Sequence, residues 1–279
     1  MNKDSLDTFR RLDDRFFMIK LDESDILSHW YAEGWRLYRT NSRLVYEGMA
    51  FIVLVSILRV LAAGVGGIAG LLVFLLLVEQ VVMMGVQFVL TRRVQGKLAV
   101  RKDFFYGFKH YFPLVMATFV FSIAVVSGLT LFLIPGIYLG IRFGQARLAV
   151  LDKETGFVEA FQNSDKLTYG RKWDLFWMEV SLWFLRALPY LPVIILTFYL
   201  IPYNSHTRLD NSQELMKAFE SSTAILSKNS WYGVLSLLGT FFSYAIFEPI
   251  IFCTRAACYR WLVREKEAIA TIKSLSQNR

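Results

Sequence analysis

The sequence contains little cysteine, histidine and proline, with two, three and six residues of 279. Cys253 and Cys258 lie five positions apart, which does not match the CxxC spacing of zinc and dithiol sites. We interpret both as packing residues. The histidines are isolated, without a second His or Cys at ligand spacing. These shortages argue against metal and redox chemistry, and we expect no metal and no cofactor.

Catalytic sequence motifs are also absent. The chain contains no GxSxG, no HExxH and no glycine-rich phosphate loop. Gly64, Gly66, Gly67 and Gly70 cluster at a predicted turn without the Lys of a phosphate-binding loop, and we interpret them as close-packing positions. Because no catalytic constellation can be assembled, we expect that the protein is not an enzyme.

Long uncharged runs dominate the sequence. Residues 113–134 form a run of 22 positions without a charge, followed by Pro135, Gly136 and a second apolar stretch. A helix rises ~1.5 Å per residue and crosses a ~30 Å hydrocarbon core in about 20 residues. The run therefore predicts a membrane hairpin in which Pro135 and Gly136 form the structural turn.

The predicted fold class is all-α: a polytopic membrane protein with about six transmembrane helices in hairpins. The predicted spans cover residues 44–63, 68–90, 113–134, 137–151, 174–202 and 231–254. These spans divide the chain into three parts. Residues 1–43 form a cytoplasmic tail with an interfacial helix, residues 44–254 form the transmembrane domain, and residues 255–279 form a basic cytoplasmic tail.

The distribution of positive charge predicts the orientation. Segments 1–43, 91–112, 152–172 and 253–279 carry 24 of the 31 Lys and Arg residues, whereas the loop 203–230 carries three. With six spans the four basic segments share one face, so both termini should be cytoplasmic in the cell membrane. The net charge of +8 is explained by the lipid bilayer, with anionic headgroups at that face as partners, and requires no nucleic acid.

A weak internal repeat suggests interfacial elbow helices before the spans. A shift of 58 positions aligns Ala160, Phe161, Ser164, Leu167 and Trp173 with Ala218, Phe219, Ser222, Ile225 and Trp231. Weaker copies are Gly34-Trp35 and Gly107-Phe108. Each copy predicts an amphipathic helix lying flat on the membrane, with Trp35, Trp173 and Trp231 as interfacial anchors. Chance recurrence in an aromatic-rich chain is the alternative.

The central segment resembles a known family. The residues that carry the resemblance are Pro135, Gly136, Arg142, Ala160, Ser164, Gly170 and Trp173. This pattern is similar to that of uncharacterised six-span prokaryotic membrane proteins related to the membrane domain of some glycerophosphodiester phosphodiesterases. The resemblance implies a fold and a membrane location. It implies no activity, because a catalytic phosphodiesterase domain is absent from the sequence.

Charged residues inside the predicted spans are the candidate functional site. They form a possible intramembrane polar site: Glu79, Arg59, Arg142, Glu179, Arg186 and Glu248. A lone charge at the bilayer centre costs several kcal/mol, roughly 2.5 to 3.5 on insertion scales. Neutralising pairs are therefore expected. We predict that Glu79 pairs with Arg59 or Arg142, and that Glu179 pairs with Arg186 along one helix face.

Two function classes remain open from the sequence. The first is a structural or accessory membrane protein whose charges fix helix packing or reach the headgroups. The second is a transporter or channel-like conduit that uses the region of Glu79 and Arg142. The first is preferred, because one central acid and scattered arginines are fewer polar groups than a midplane substrate site normally contains. The sequence does not identify a protein partner.

Overall fold

A computed structural model describes residues 23–192, 194–195 and 238–277, and all regular structure in these residues is helical. The α-helices are α1 (Glu23–Thr40), α2 (Ser42–Phe74), α3 (Gln80–Val94), α4 (Tyr106–Lys109), α5 (Tyr111–Leu131), α6 (Leu133–Phe143), α7 (Ala146–Lys153), α8 (Phe157–Thr168), α9 (Lys172–Ala187) and α10 (Glu248–Gln277). Two π-helical turns, Leu75–Glu79 and Ser243–Phe247, and two 3-10 turns, Arg101–Phe105 and Leu188–Tyr190, complete the described part.

Four helical stretches are long and apolar enough to cross a membrane: Ser42–Gly67, Ala69–Val94, Tyr111–Leu131 and Leu238–Ile272. The first three overlap the first, second and third predicted spans, and the fourth overlaps residues 238–254 of the sixth predicted span, whose first seven residues lie outside the described residues. The all-α prediction is confirmed for the described residues, and the chain is a membrane protein by the length and composition of these helices.

The two remaining predicted spans are not continuous helices in the described residues. The segment 137–151 is divided between α6 and α7, with a break at Gly144 and Gln145. The segment 174–202 begins in α9, passes through a 3-10 turn at Leu188–Tyr190 and then leaves the described residues. The six-span topology therefore stays a prediction.

The first hairpin turns at Gly67, a non-helical residue within the range of α2, with φ 58° and ψ −147°. A positive φ of this size is strained for residues with a Cβ and is readily adopted by glycine. Val65 beside it is 93% exposed. A Cβ added to Gly64, Gly66 or Gly67 would meet no described atom within 4 Å. The interpretation of these three glycines as close-packing positions is therefore wrong, because they lie at an open hairpin tip.

The chain reverses direction a second time between α5 and α6, three residues before the predicted turn. Phe132 is extended, with φ −157° and ψ 142°, whereas Pro135 and Gly136 belong to the first turn of α6, where proline is tolerated. The prediction that these two residues form the turn is wrong. Gly136 has a packing role instead, because a Cβ on it would lie 2.5 Å from the backbone nitrogen of Leu129.

The described chain divides into two compact units. One contains α1 to α8, α9 up to Glu179 and the chain from Pro249 onward, and the other is Val180–Glu248. In the first unit, α3, α5, α7 and α8 share an apolar core whose central residues are fully buried. These residues include Val81, Leu114, Ala149 and Ala160. The core holds α8 against the helices that carry the polar residues described below.

Two glycines of the predicted elbow segments allow close helix packing. A Cβ on Gly34 in α1 would lie 2.7 Å from the Cα of Thr254 in α10. A Cβ on Gly107 in α4 would lie 2.7 Å from the backbone oxygen of Val81 in α3. Helices thus contain Gly34 and Gly107, whereas the predicted elbow from Ala218 to Trp231 lies outside the described residues, and the interfacial elbows stay a prediction.

The described C-terminal residues continue the last predicted span. Helix α10 runs without a break from Glu248 to Gln277, across the predicted boundary at residue 255. Tyr259 and Leu262 are fully buried, and Trp261 meets Trp30 of α1 edge to face at 5.6 Å. Residues 255–277 therefore continue the helix and pack in part against α1, and the predicted division at residue 255 stays a prediction.

Candidate functional site

Glu79 is the most deeply buried of the predicted charged residues, with 6% of its side chain exposed. It is the last residue of the π-helical turn Leu75–Glu79. Its Oε2 lies 3.2 Å from Nη1 of Arg59, and its Oε1 accepts a hydrogen bond of 3.2 Å from the hydroxyl of Ser56. Ser56 and Arg59 are three residues apart in α2 and so share a helix face. The predicted pair of Glu79 with Arg59 is confirmed.

Arg142 does not contact Glu79, so the alternative pairing is wrong. Its guanidinium forms a fork with Asp165 of α8, in which Nε and Nη2 each donate a hydrogen bond of 2.7 Å. Ser164 donates a hydrogen bond of 2.8 Å to the backbone oxygen of Arg142. This fork lowers the pKa of Asp165 below its ordinary value. The physical reason is that α6 is short and packs against α8, which supplies the nearest carboxylate.

The predicted pair of Glu179 with Arg186 is also wrong. Seven residues of helix span about 10 Å, so a facing helix offers closer partners. In the first unit, Glu179 accepts hydrogen bonds from Nε and Nη2 of Arg255, at 3.2 and 2.5 Å. In the second unit, Nε and Nη2 of Arg186 donate to Glu248 at 2.5 and 2.8 Å. Both pairs join α9 to α10 and have the two-bond geometry that strengthens arginine–carboxylate contacts.

Two of the buried acids, Glu79 and Glu248, adjoin π-helical turns. Glu79 ends the π-helical turn Leu75–Glu79, and Glu248 directly follows the π-helical turn Ser243–Phe247. The side chain of Glu248 is 10% exposed. A π-helical turn adds a residue to the helix and rotates the later residues about the helix axis, and such turns are frequent at functional sites. The two turns therefore change the helix face on which each acid lies.

Arg147 in α7 is a largely buried cation whose contacts include no ion pair within the described residues. Its Nη1 donates a hydrogen bond of 2.8 Å to Oε1 of Gln80, and its guanidinium carbon lies 4.9 Å from the ring centre of Phe121. Within the described ranges no carboxylate oxygen lies within 4.0 Å of this guanidinium. Its charge is compensated by an amide dipole and an aromatic face.

Polar contacts also join α3 and α7 to α10. Gln87 donates a hydrogen bond of 3.3 Å to the backbone oxygen of Phe252. Tyr259 donates to Asp152 at 3.1 Å, and Gln95 donates to the same carboxylate at 3.2 Å. The polar groups between these helices are thus used in helix–helix contacts. Cys253 and Cys258 are free and buried, which confirms their interpretation as packing residues.

The predicted anchors are partly accessible in the structure. Trp35 of α1 is 43% exposed and Trp173 near the start of α9 is 68% exposed. Trp231 lies outside the described residues. Exposed tryptophan at a helix end is typical of the membrane interface, and the anchoring role stays a prediction.

Two partners in the ion pairs were missed by sequence reasoning. Asp165 and Arg255 lie in segments that the prediction placed outside the spans, so neither was considered as a counter-charge. A usable signal was present, since each of Arg142 and Glu179 needed a partner. Asp165 lies in an amphipathic helix that must pack on the spans, and Arg255 follows the last uncharged run directly.

Residues 46–216 match the model of a protein family described as protein of unknown function (DUF975). No curated protein and no solved structure matches the chain. The match is to an uncharacterised family, as the resemblance implied. It shows no link to the membrane domain of glycerophosphodiester phosphodiesterases, and that relationship stays a prediction.

Proposed function

Because the chain belongs to this family of proteins of unknown function, DUF975, we propose its role from the geometry of its polar residues. The protein is a structural or accessory integral membrane protein and not an enzyme. The six charged residues of the predicted polar site hold the helices in place, and none of these six is reserved for a substrate.

One observation carries the proposal. Every member of the predicted polar site has an opposite charge within 3.2 Å: Arg59 with Glu79, Arg142 with Asp165, Arg255 with Glu179, and Arg186 with Glu248. A transport site that is empty between cycles needs polar groups that are free to meet a substrate. Paired groups instead offset each other's desolvation and specify which helices pack together.

The proposed setting is the cell membrane, crossed several times, with both termini in the cytoplasm. The asymmetry of Lys and Arg between the four basic segments and the loop 203–230 supports this orientation. The basic segments would then face the anionic headgroups of the cytoplasmic leaflet.

A double-mutant cycle on Glu79 and Arg59 tests the structural role. We expect Glu79→Gln to lower the free energy of unfolding in detergent by up to about 3 kcal/mol, because the partly buried guanidinium of Arg59 loses its counter-charge. We expect the double change Glu79→Gln with Arg59→Met to recover much of that loss. Thermal unfolding of the purified protein measures both effects.

The exposed pair of Arg36 and Glu33, at 2.7 Å in α1, provides the matched control. The double-mutant cycle of Arg36 and Glu33 should give a coupling free energy of at most about 1 kcal/mol, because the Arg36 side chain is 74% exposed. Strictly additive effects at Glu79 and Arg59 would contradict the structural role.

A channel-like conduit is the second candidate, and Arg147 is the observation that favours it. A buried cation compensated by an amide and an aromatic ring is a group that an anion could meet. Under this alternative Arg147→Gln would leave thermal stability nearly unchanged and would alter anion flux in proteoliposomes. Under the structural proposal the same variant changes stability and produces no flux.

A further inference from the structure

An open cavity of about 700 Å³, lined by charged, polar and apolar side chains, lies in the first unit, between the junction of α1 with α2 and the segment that follows α3. Thr40, Asn41 and Ser42 contribute hydroxyl and amide groups from the helix junction. The charged lining consists of four cations, Arg43, Arg93, Arg101 and Lys102, and one carboxylate, Glu47. The wall therefore carries an excess of three positive charges.

The internal contacts of the wall do not remove this excess. Glu47 accepts hydrogen bonds from Nε of Arg101 at 2.7 Å and from Nε of Arg43 at 3.2 Å, so a single carboxylate is shared by two arginines. Arg93 donates to the backbone oxygen of Ala99 at 2.7 Å, which neutralises no charge. Lys102 forms no ion pair within the described residues. An anion bound in the cavity would neutralise the positive charge that these contacts leave.

The cavity lies at the level where two candidate spans end. One span begins at Ser42 and the next ends at Val94, and both ends border the cavity. Apolar side chains on the segment that follows α3 are exposed, among them Leu98 at 86% and Val100 at 49%. Exposed apolar residues beside cations are typical of a segment at the membrane interface. The ends of the candidate spans thus place the cavity at the level expected for lipid headgroups.

We infer that this cavity binds a phosphate ester of net negative charge, supplied either by an anionic lipid headgroup or by a soluble glycerol phosphate. Arginine guanidinium groups match phosphate oxygens in pairs, and a lysine adds a point charge. The cavity volume falls in the range of small-molecule sites. The inference goes beyond the proposed structural role, because neither depends on the other.

The test uses the full chain in uncharged detergent. Isothermal titration would compare short-chain phosphatidylglycerol, short-chain phosphatidylcholine and glycerol 3-phosphate. The cavity variant is Arg43→Gln with Lys102→Gln. The matched control is Arg39→Gln with Lys97→Gln, which removes the same charge from exposed residues outside the cavity. Lys102→Gln alone breaks no described ion pair and is used if the double variant fails to fold.

We expect saturable binding of phosphatidylglycerol that the cavity variant weakens by about tenfold and the control changes by less than about twofold. Tighter binding of phosphatidylglycerol than of glycerol 3-phosphate would assign the site to lipid, and equal binding would assign it to the soluble ester. Absence of saturable binding, equal weakening in both variants, or binding of phosphatidylcholine as tight as that of phosphatidylglycerol would overturn the inference.

Discussion

At the scale of single residues, the molecule pairs each predicted intramembrane charge with a counter-charge on another helix. Each charge pairs with an opposite charge that its side chain can reach on a facing helix. Arg142 reaches Asp165 of α8, and Glu79 reaches Arg59 of α2. An arginine can cover several ångströms with its flexible stem, so the nearest carboxylate on a facing helix is a better partner than one two turns away on the same helix.

The pair of Arg142 and Asp165 makes stability depend on pH at the acid end. The guanidinium lowers the pKa of Asp165 in the folded state, so the unfolded state binds the proton more readily. The stabilisation that this ion pair gives the folded state is present above the unfolded pKa of about 4 and is lost as pH falls through the folded pKa. Because both side chains are about one-third exposed, its size is at most about 1 kcal/mol.

Asp165→Asn should remove this part of the acid sensitivity. We expect the variant to be less stable than the wild type at pH 7 and nearly equal to it at pH 2, measured by thermal unfolding in detergent. The exposed Glu159 of α8 gives the control Glu159→Gln. A constant difference between wild type and Asp165→Asn from pH 7 to pH 2 would contradict the assignment.

At the scale of helices, the irregular positions decide which faces meet. The two π-helical turns rotate the helices just before or at Glu79 and Glu248. The extended residue Phe132 lets α6 return along α5, with Gly128 and Gly136 in close approach. None of these features has a distinct sequence signature, because leucine-rich and phenylalanine-rich stretches adopt regular and π-helical turns alike.

Gly136→Leu tests the close approach of α5 and α6. The new side chain would meet the backbone and side chain of Leu129, where a Cβ alone lies 2.5 Å from a neighbouring atom. Overpacking of this kind costs about 1–3 kcal/mol. Gly64→Leu is the matched control, because a Cβ there meets no described atom within 4 Å. Equal melting temperatures of the two variants would refute the contact.

At the scale of the whole molecule, the amino-acid sequence predicts the helices better than their contacts. The apolar runs at 44–63, 68–90 and 113–134 coincide with observed helices, because length and composition determine a span. The ion-pair partners of Glu179 and Arg186 could not be predicted from length and composition. They depend on which faces of α9 and α10 meet, and residues such as Arg186 and Glu248 lie 62 positions apart in the chain. The cavity beside Arg101 was missed for the same reason.

The most direct test of the central claim is the water accessibility of the space beside Glu79. Ser56, whose hydroxyl donates to Glu79, is replaced by cysteine in the reconstituted protein and treated with a membrane-impermeant thiol reagent. Val65→Cys at the exposed hairpin tip is the positive control, and the wild type with its buried Cys253 and Cys258 gives the background. If the charges pair within packed protein, position 65 is labelled and position 56 remains at background. Labelling at position 56 as fast as at position 65 would show a water-filled path and contradict the account.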